Sequence, residues 1–153
     1  MSYGPFEVSP DNDSDSIFSL EISDEVLAEG ASLVYSNKED VEEGFIIIEV
    51  YSTPQGHYFE LTQPGSLQVN ARLLIDSSLR VARLSLTGRP VEQWLIFNTA
   101  VDFCFLLSTA DKGTVLTHAS SVIYEGKAYL FLGKSGTGKS THSRMWQTAL
   151  EGV

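Results

Sequence analysis

Residues 133–140 carry the clearest chemical signal in the sequence, reading Gly-Lys-Ser-Gly-Thr-Gly-Lys-Ser. The spacing matches GxxxxGK[ST], a pattern in which successive backbone N–H groups surround phosphate oxygens. Its glycines let those oxygens approach the backbone, and some of them permit a positive φ angle. The pattern therefore predicts a nucleotide phosphate site. The residues expected to form it are Gly133, Ser135, Gly136, Thr137, Gly138, Lys139, Ser140 and Thr141.

Three side chains of this motif have distinct expected roles. Lys139 should bridge the β- and γ-phosphates of ATP, and it is the one candidate catalytic residue. Ser140 is the expected metal ligand, offering its hydroxyl to Mg²⁺, and Thr141 should add a contact near the α-phosphate. A chance match in a chain of this length is expected about once in two hundred. The less favoured alternatives are a glycine-rich turn without nucleotide and a degenerate site that binds only an inorganic anion.

Such a loop must follow a buried strand and open a helix, because the helix N-terminus adds its partial positive charge. Residues 128–132 are continuously apolar, which indicates a central strand covered on both faces. Glu125-Gly126 predicts a tight turn joining that strand to one that begins near Val115. After the loop, helical spacing predicts a helix with one apolar face that ends near Gly152. That face consists of His142, Met145, Trp146, Ala149 and Leu150.

Two histidines and a second lysine lie near the motif. His118 fits either a packed strand position or a contact with phosphate or substrate, and packing is the favoured alternative. His142 lies on the predicted apolar helix face and is interpreted as structural. Lys134 can point to solvent or to phosphate.

The region before residue 114 indicates a β-rich unit. Branched and aromatic residues form four runs separated by turn residues such as Pro54-Gln55-Gly56 and Pro64-Gly65, which predicts an antiparallel meander. Residues 17–22 alternate between apolar and polar, as in a half-buried strand. The four runs are 45–52, 57–62, 71–75 and 81–86.

A helix is predicted at about 91–110. Pro90 stands where a helix can begin, the residues that follow are apolar on nearly all sides, and Gly113 is placed as the stop. We therefore expect a helix buried by other elements. A membrane span is not expected, because the apolar stretch contains Asn98 and Asp102, which are costly in hydrocarbon.

Charge and cysteine content exclude several classes of partner. The 153 residues have a formal net charge of −10, which repels nucleic acid and anionic lipid, so neither nucleic acid nor membrane is an expected partner. The one cysteine, Cys104, lies in an apolar run and is expected to be a structural thiol. Residues 1–29 contain no Lys or Arg and do not fit a secretory signal, so a cytoplasmic protein is expected.

The acidic residues are concentrated near the N-terminus. Residues 1–50 hold 13 acidic side chains and one basic side chain, Lys38. Asp11 to Asp15 have the alternating acids of an EF-hand loop, but Ser16 and Ile22 replace the glycine and the glutamate that such a loop needs. The stretch is therefore interpreted as solvated polar chain rather than as a calcium site.

Residues 116–141 resemble the HPr kinase/phosphorylase and phosphoenolpyruvate carboxykinase superfamily, especially the bacterial HPr-kinase-like proteins. The resemblance rests on a histidine and small residues on a strand, on a hairpin, and on a loop of the form G-x-SG-x-GKS/T, which Ser135 to Ser140 match. It implies a mixed-sheet nucleotide fold, ATP with Mg²⁺, and transfer of a phosphoryl group to a protein or small-molecule acceptor. The acidic residues that these proteins need after the loop helix have no assignable counterpart in this sequence.

Together these features predict an α+β or α/β fold in two parts. Residues 1–113 should be β-rich with a buried helix, and residues 114–153 should open a phosphoenolpyruvate-carboxykinase-like nucleotide domain that is truncated after the loop helix. The full-length protein is then expected to be a serine-kinase-like phosphotransferase, and this chain alone is expected to be inactive. The alternative is a non-catalytic module that senses nucleotide and binds a partner through its acidic first third. The sequence does not indicate an oligomeric state.

Overall fold

The structure, a computed structural model, describes residues 16–42, 44–88 and 90–150, apart from the side chains of 90–92. Within these residues the protein is mixed α+β, with a six-stranded sheet, a two-stranded sheet and two α-helices. The chain divides into two units, 1–114 and 115–153, whereas the sequence places the boundary between 113 and 114. The predicted solvated stretch at Asp11 to Asp15 and the predicted helix terminator Gly152 lie outside the described residues.

The first unit contains the six-stranded sheet, in the order β1-β6-β5-β4-β3-β2. Strands β2 to β6 pair with their sequence neighbours in antiparallel fashion, which confirms the meander. The strand at the opposite edge, β1, pairs with β6 in parallel. The strands are β1 (Ser19–Ile22), β2 (Ser32–Ser36), β3 (Ile47–Thr53), β4 (Gly56–Thr62), β5 (Ala71–Asp76) and β6 (Val81–Leu86).

The turn between β3 and β4 requires a glycine. The Thr53 hydroxyl oxygen accepts hydrogen bonds from the N–H groups of Gln55 and Gly56, at 3.2 and 3.1 Å. Gly56 has a φ of +144°, and a Cβ there would meet the backbone carbonyl oxygen of Ile75 on β5. An L-residue would therefore disturb the neighbouring strand as well as the turn.

One face of this sheet packs against the helix α1 (Pro90–Thr109). Ile96, Ala100 and Cys104 recur at a spacing of four residues and are almost fully buried. They contact a cluster of sheet residues that includes Phe59, Leu61, Leu73, Ile75 and Leu84. The contact buries the thiol of Cys104 and so raises its pKa to about 11.

The expectation that other elements bury α1 is only partly correct. The sheet covers one side of the helix, while Trp94, Leu95 and Leu106 are 39%, 52% and 37% exposed. A short 3₁₀-helix (Ala110–Lys112) follows, and the left-handed Gly113 ends it with a φ of +67°. Neither helix in the described part of the chain combines the length and apolar character that a membrane span requires.

The other face of the sheet is covered in part by the segment 23–31, which runs from the β1 edge to the β2 edge. Val26 packs there against Tyr58 and Leu74. Beside this patch Glu60 accepts hydrogen bonds from the hydroxyls of Tyr51 and Tyr58, at 3.4 and 3.3 Å. Burial, together with the Glu60 carboxylate, raises the pKa of Tyr58 to about 12.

The second unit consists of the hairpin β7 (Ala119–Tyr124) and β8 (Lys127–Leu132), followed by α2 (Lys139–Ala149). Glu125 and Gly126 form the predicted tight turn, with φ angles of +49° and +71°. Two predictions need correction. The first strand begins at Ala119 and not near Val115, and β8 is not covered on both faces. Leu130 and Leu132, on the face away from α2, are 55% and 65% exposed.

Candidate functional site

The loop 133–138 connects the end of β8 to the start of α2. Its three glycines, Gly133, Gly136 and Gly138, have φ angles of +154°, +79° and +83°, a region that L-residues with side chains rarely adopt. Gly138 is the residue before the first helical position, and its carbonyl accepts the first bond of α2 from the His142 N–H at 2.8 Å. The glycines therefore shape a tight turn that opens directly into a helix N-terminus.

The Lys139 side chain folds back over this loop. Its Nζ donates to the carbonyl oxygens of Gly133 and Lys134, at 2.8 and 2.9 Å. The Thr137 hydroxyl also donates to the Lys134 carbonyl, at 2.8 Å. A Cβ at Gly133 would lie 2.8 Å from the Thr137 hydroxyl oxygen. The ammonium group and the loop backbone are therefore held together in a fixed arrangement.

Two recesses flank the loop and share Gly138 and Lys139. The first, here the His118 recess, has a volume of about 320 Å³ and is lined by His118, Ser135, Gly136, Gly138, Lys139, Ser140 and Thr141. The second, here the His142 recess, has a volume of about 490 Å³ and is lined by Leu130, Phe131, Leu132, Gly133, Thr137, Gly138, Lys139 and His142. No Asp or Glu of the described residues lines either recess.

The structure brings the eight predicted site residues together around the loop. Six of them line the His118 recess, and the other two, Gly133 and Thr137, line the His142 recess with Gly138 and Lys139. Residues 114–153 contain four basic and two acidic side chains, a local charge of +2 in a chain of net charge −10. This unit is thus the part of the chain whose charge favours an anion.

The two histidines have different environments. His118 is exposed, lies directly before β7 rather than within a strand, and lines the recess beside Ser140 and Thr141. This placement favours the contact alternative over the packed strand position that the sequence favoured. The His142 ring packs edge-on against Phe131, with centroids 4.8 Å apart, in agreement with its structural interpretation.

The helix α2 is positioned by aromatic contacts with β8. The Trp146 ring lies 5.0 Å from that of Tyr129 and 5.5 Å from that of Phe131. The predicted apolar face is only partly correct. Met145 is 61% exposed, and the buried residue of α2 is Ser143, which is polar and is not part of the predicted face.

Ser120 carries a buried polar atom that sequence reasoning missed. It lies on β7, two residues after His118, which itself precedes the strand. Its hydroxyl oxygen is buried and has no hydrogen-bond partner among the described residues. A buried polar atom of this kind is uncommon in native proteins, and a single serine in a strand gives no sequence signal that would reveal it.

The donor set fits a phosphate group better than a free metal ion. Within the described residues, no three His, Cys, Asp or Glu side chains are placed to hold a metal. Ser140 is exposed at the second position of α2, and its carbonyl accepts bonds from the Ser143 hydroxyl and Arg144 Nε, both at 3.2 Å. Its hydroxyl can serve as one ligand of Mg²⁺ where phosphate oxygens supply others.

Comparison of the chain with protein-family models, with curated proteins and with solved structures finds no match. The features of the chain that bear on its function are therefore the loop, its lysine and the residues that line the two recesses.

Proposed function

We propose that the second unit binds the phosphates of ATP together with Mg²⁺. The observation that carries the proposal is a loop of three positive-φ glycines that opens α2 while the Lys139 ammonium lies against its carbonyl oxygens. A helix N-terminus, free backbone N–H groups and a nearby ammonium group all favour negative charge at one place.

Different residues of the His118 recess would bind different parts of the ATP–Mg²⁺ complex. Backbone N–H groups at 135–140 would donate to phosphate oxygens, and Lys139 would exchange its two carbonyl contacts for stronger charge-assisted bonds to phosphate. Ser140 would orient the metal through its hydroxyl. When bound, Mg²⁺ supplies neutralisation of charge on the β- and γ-phosphates. His118, which lines the same recess, would contact phosphate or substrate.

We further propose that the protein of which these residues form the nucleotide site is a phosphotransferase of the HPr-kinase-like type. This step is supported by the resemblance of residues 116–141 and by the chemistry of phosphoryl transfer, which depends mainly on positioning and charge neutralisation. The acceptor would be a protein or a small molecule. A carboxylate acting as general base or as a further metal ligand would come from residues other than those described as lining the two recesses.

A second candidate is a module that binds nucleotide without catalysis. The observation that favours it is the lack of any carboxylate among the described residues lining the recesses. In that case ATP would alter how the protein binds a partner and would not be consumed. Incubation of the full-length protein with γ-labelled ATP and an acceptor separates the candidates, because a phosphotransferase forms ADP and a labelled acceptor whereas the module returns the ATP unchanged.

Calorimetric titration of the chain with ATP and Mg²⁺ tests the binding site itself. Lys139→Ala should weaken binding by tenfold or more, about 1.4 kcal/mol, because it removes the ammonium group from the loop. The matched control is Lys127→Ala, which removes the same charge at the other end of β8. Equal affinities for the wild type and Lys139→Ala would overturn the proposed phosphate site.

The metal assignment has its own test. Ser140→Ala should reduce the gain in ATP affinity that Mg²⁺ produces, while leaving the metal-free affinity nearly unchanged. Ser121→Ala, on the exposed side of β7, serves as the control. A magnesium effect of the same size in Ser140→Ala and in the wild type would show that the Ser140 hydroxyl is not a ligand.

A further inference from the structure

The edge strand β2 is the strand of the first unit, among the described residues, in which every residue is exposed. All five of its residues are exposed, and Leu33, Val34 and Tyr35 are 55%, 60% and 55% exposed. Within the described residues its strand partner is β3, on one side. Backbone N–H and C=O groups on its outer side are therefore available to another strand.

Edge strands in native proteins usually carry a charge or a proline that opposes pairing with other chains. The sequence of β2, Ser-Leu-Val-Tyr-Ser, has neither. At the other edge of the same sheet, β1 includes Glu21, and its Leu20 packs against the core. The contrast identifies the β2 edge as the open one.

The charges around β2 indicate which kind of strand can pair with it. The stretch 29–42 has Glu29 before the strand and three exposed acids after it, against the one base Lys38. The three acids are Glu39, Asp40 and Glu42. An apolar strand is thus bordered by negative charge at both ends.

Pairing between two copies of β2 is opposed by these same charges. Antiparallel pairing centred on Val34 would bring the turn that holds Glu39 in one copy towards the turn that holds Glu29 in the other, because 39 and 29 lie five residues on either side of 34. Parallel pairing would bring each acidic residue of one chain close to the same residue of the other chain. Directly opposed like charges destabilise a strand pair. A segment with basic residues at both ends would instead be attracted by the acidic residues at both ends of β2.

We propose that β2 is a docking edge for an extended segment of another protein, with apolar residues at its centre and Lys or Arg at both ends. Such a segment would add a strand to the sheet, its backbone bonding to the outer side of β2. The ladder between β2 and β3 is shifted between Leu33 and Tyr35, and an irregularity of this kind increases local twist. The twist limits the addition to one short strand and disfavours open-ended stacking.

Selection from a random peptide display library tests the proposal without assuming a partner sequence. The full chain is the bait, and Val34→Lys, which places a charge in the middle of the edge, is used for counter-selection. Peptides retained by the wild type should have alternating apolar residues flanked by basic ones, and they should bind Val34→Lys at least tenfold more weakly. Leu67→Lys is the matched control, since Leu67 is a fully exposed apolar residue outside any strand.

Charge reversal sharpens the result. The double variant Glu39→Lys with Asp40→Lys should lose the basic peptides and select peptides with acidic flanks. Circular dichroism of each variant establishes that it is folded. Three outcomes would overturn the proposal. In the first, the enriched peptides bind Val34→Lys as well as they bind the wild type. In the second, the enriched peptides lack basic flanks. In the third, the wild type is a dimer that Val34→Lys dissociates, which would make the occupant a second copy of this chain.

Discussion

The two units of the protein differ in how their structure is supported. In the first unit a continuous cluster of almost fully buried residues joins the sheet to α1. In the second, Val122 is the buried apolar residue among those described, and α2 is held by aromatic contacts and by hydrogen bonds of the loop. The first unit therefore has its own hydrophobic core, whereas the second is organised around the loop 133–138.

This difference separates stability from binding. Core burial of apolar side chains is the main source of folding free energy, so substitutions with large effects on stability should fall in the first unit. The loop of the second unit keeps glycines and a lysine at positions that packing does not require. Substitutions there should alter ligand binding more than stability. Three comparisons between the units and one within the first unit test how differently the parts of the protein are supported.

The largest expected effect concerns the thiol of Cys104. Because the side chain is 1% exposed and its pKa is raised by burial to about 11, the thiolate is scarce and shielded at neutral pH. Reaction with a disulfide reagent should be at least a thousandfold slower in the folded than in the unfolded protein, about 4 kcal/mol. Absorbance of the released thiolate measures both rates.

The control for this reaction places a thiol in the second unit. Ser121→Cys, in a Cys104→Ala background, puts the cysteine on the exposed side of β7. It should react within about tenfold of a small-molecule thiol. Equal rates for native Cys104 and for the introduced cysteine would contradict the assignment of a closed core to the first unit.

The second comparison removes one leucine from each unit. Leu73→Ala, at a fully buried position, should lower the free energy of unfolding by about 3 kcal/mol. Leu130→Ala, at a position 55% exposed, should lower it by less than about 1 kcal/mol. The described part of each unit contains one tryptophan, Trp94 or Trp146, so urea unfolding can be followed unit by unit in single-tryptophan variants. Similar losses of unfolding free energy in both units would contradict the view that the first unit alone has a hydrophobic core.

The third comparison uses two glycines with positive φ. Gly56→Ala meets the backbone of Ile75 and should destabilise the first unit by about 2 kcal/mol. Gly133→Ala meets the Thr137 hydroxyl, which can rotate away, and should destabilise the second unit by about 1 kcal/mol. Thr137→Ala should recover part of that loss in the double variant. Failure of the second substitution to recover any stability would show that φ strain alone is responsible.

The elements that sequence reasoning located are those with a strong local pattern. The alternation and the turn residues identified β3 to β6 with ends that differ by one or two residues, and the GxxxxGK[ST] spacing placed the loop and the start of α2. Both patterns are local, because they depend on the strand period and on the φ angles that glycine permits.

The features that it missed depend on tertiary neighbours. The apolar run of β2 does not alternate, because none of its residues is buried. The exposed side of α1 cannot be distinguished from the buried side when both are apolar. The burial of a polar residue such as Ser143 on α2 depends on its tertiary neighbours. The two hydrogen bonds from the Lys139 ammonium to loop carbonyl oxygens depend on the conformation of the loop, so the sequence pattern does not predict them.

The smallest expected effect is the pH dependence of stability that Tyr58 causes on the sheet face opposite α1. In the unfolded chain Tyr58 ionises near its ordinary pKa of 10, whereas burial beside Glu60 raises the folded pKa to about 12. The folded state thus holds the phenolic proton more tightly. The stability that this contributes is present below pH 10 and is lost as the pH rises towards 12, by about 1 kcal/mol once solvent screening is allowed for.

Urea unfolding across this range should show a steeper loss of stability in the parent protein than in Tyr58→Phe, which has no phenol to ionise at this position. Both proteins need the Cys104→Ala background, because the buried thiol titrates in an overlapping range. Glu60→Gln should lie between them, since it removes the carboxylate but leaves the tyrosine buried. Identical pH profiles for the parent and Tyr58→Phe would mean that Tyr58 is neither buried nor held beside Glu60 in solution. The segment 23–31 would then cover this face more loosely than α1 covers the other.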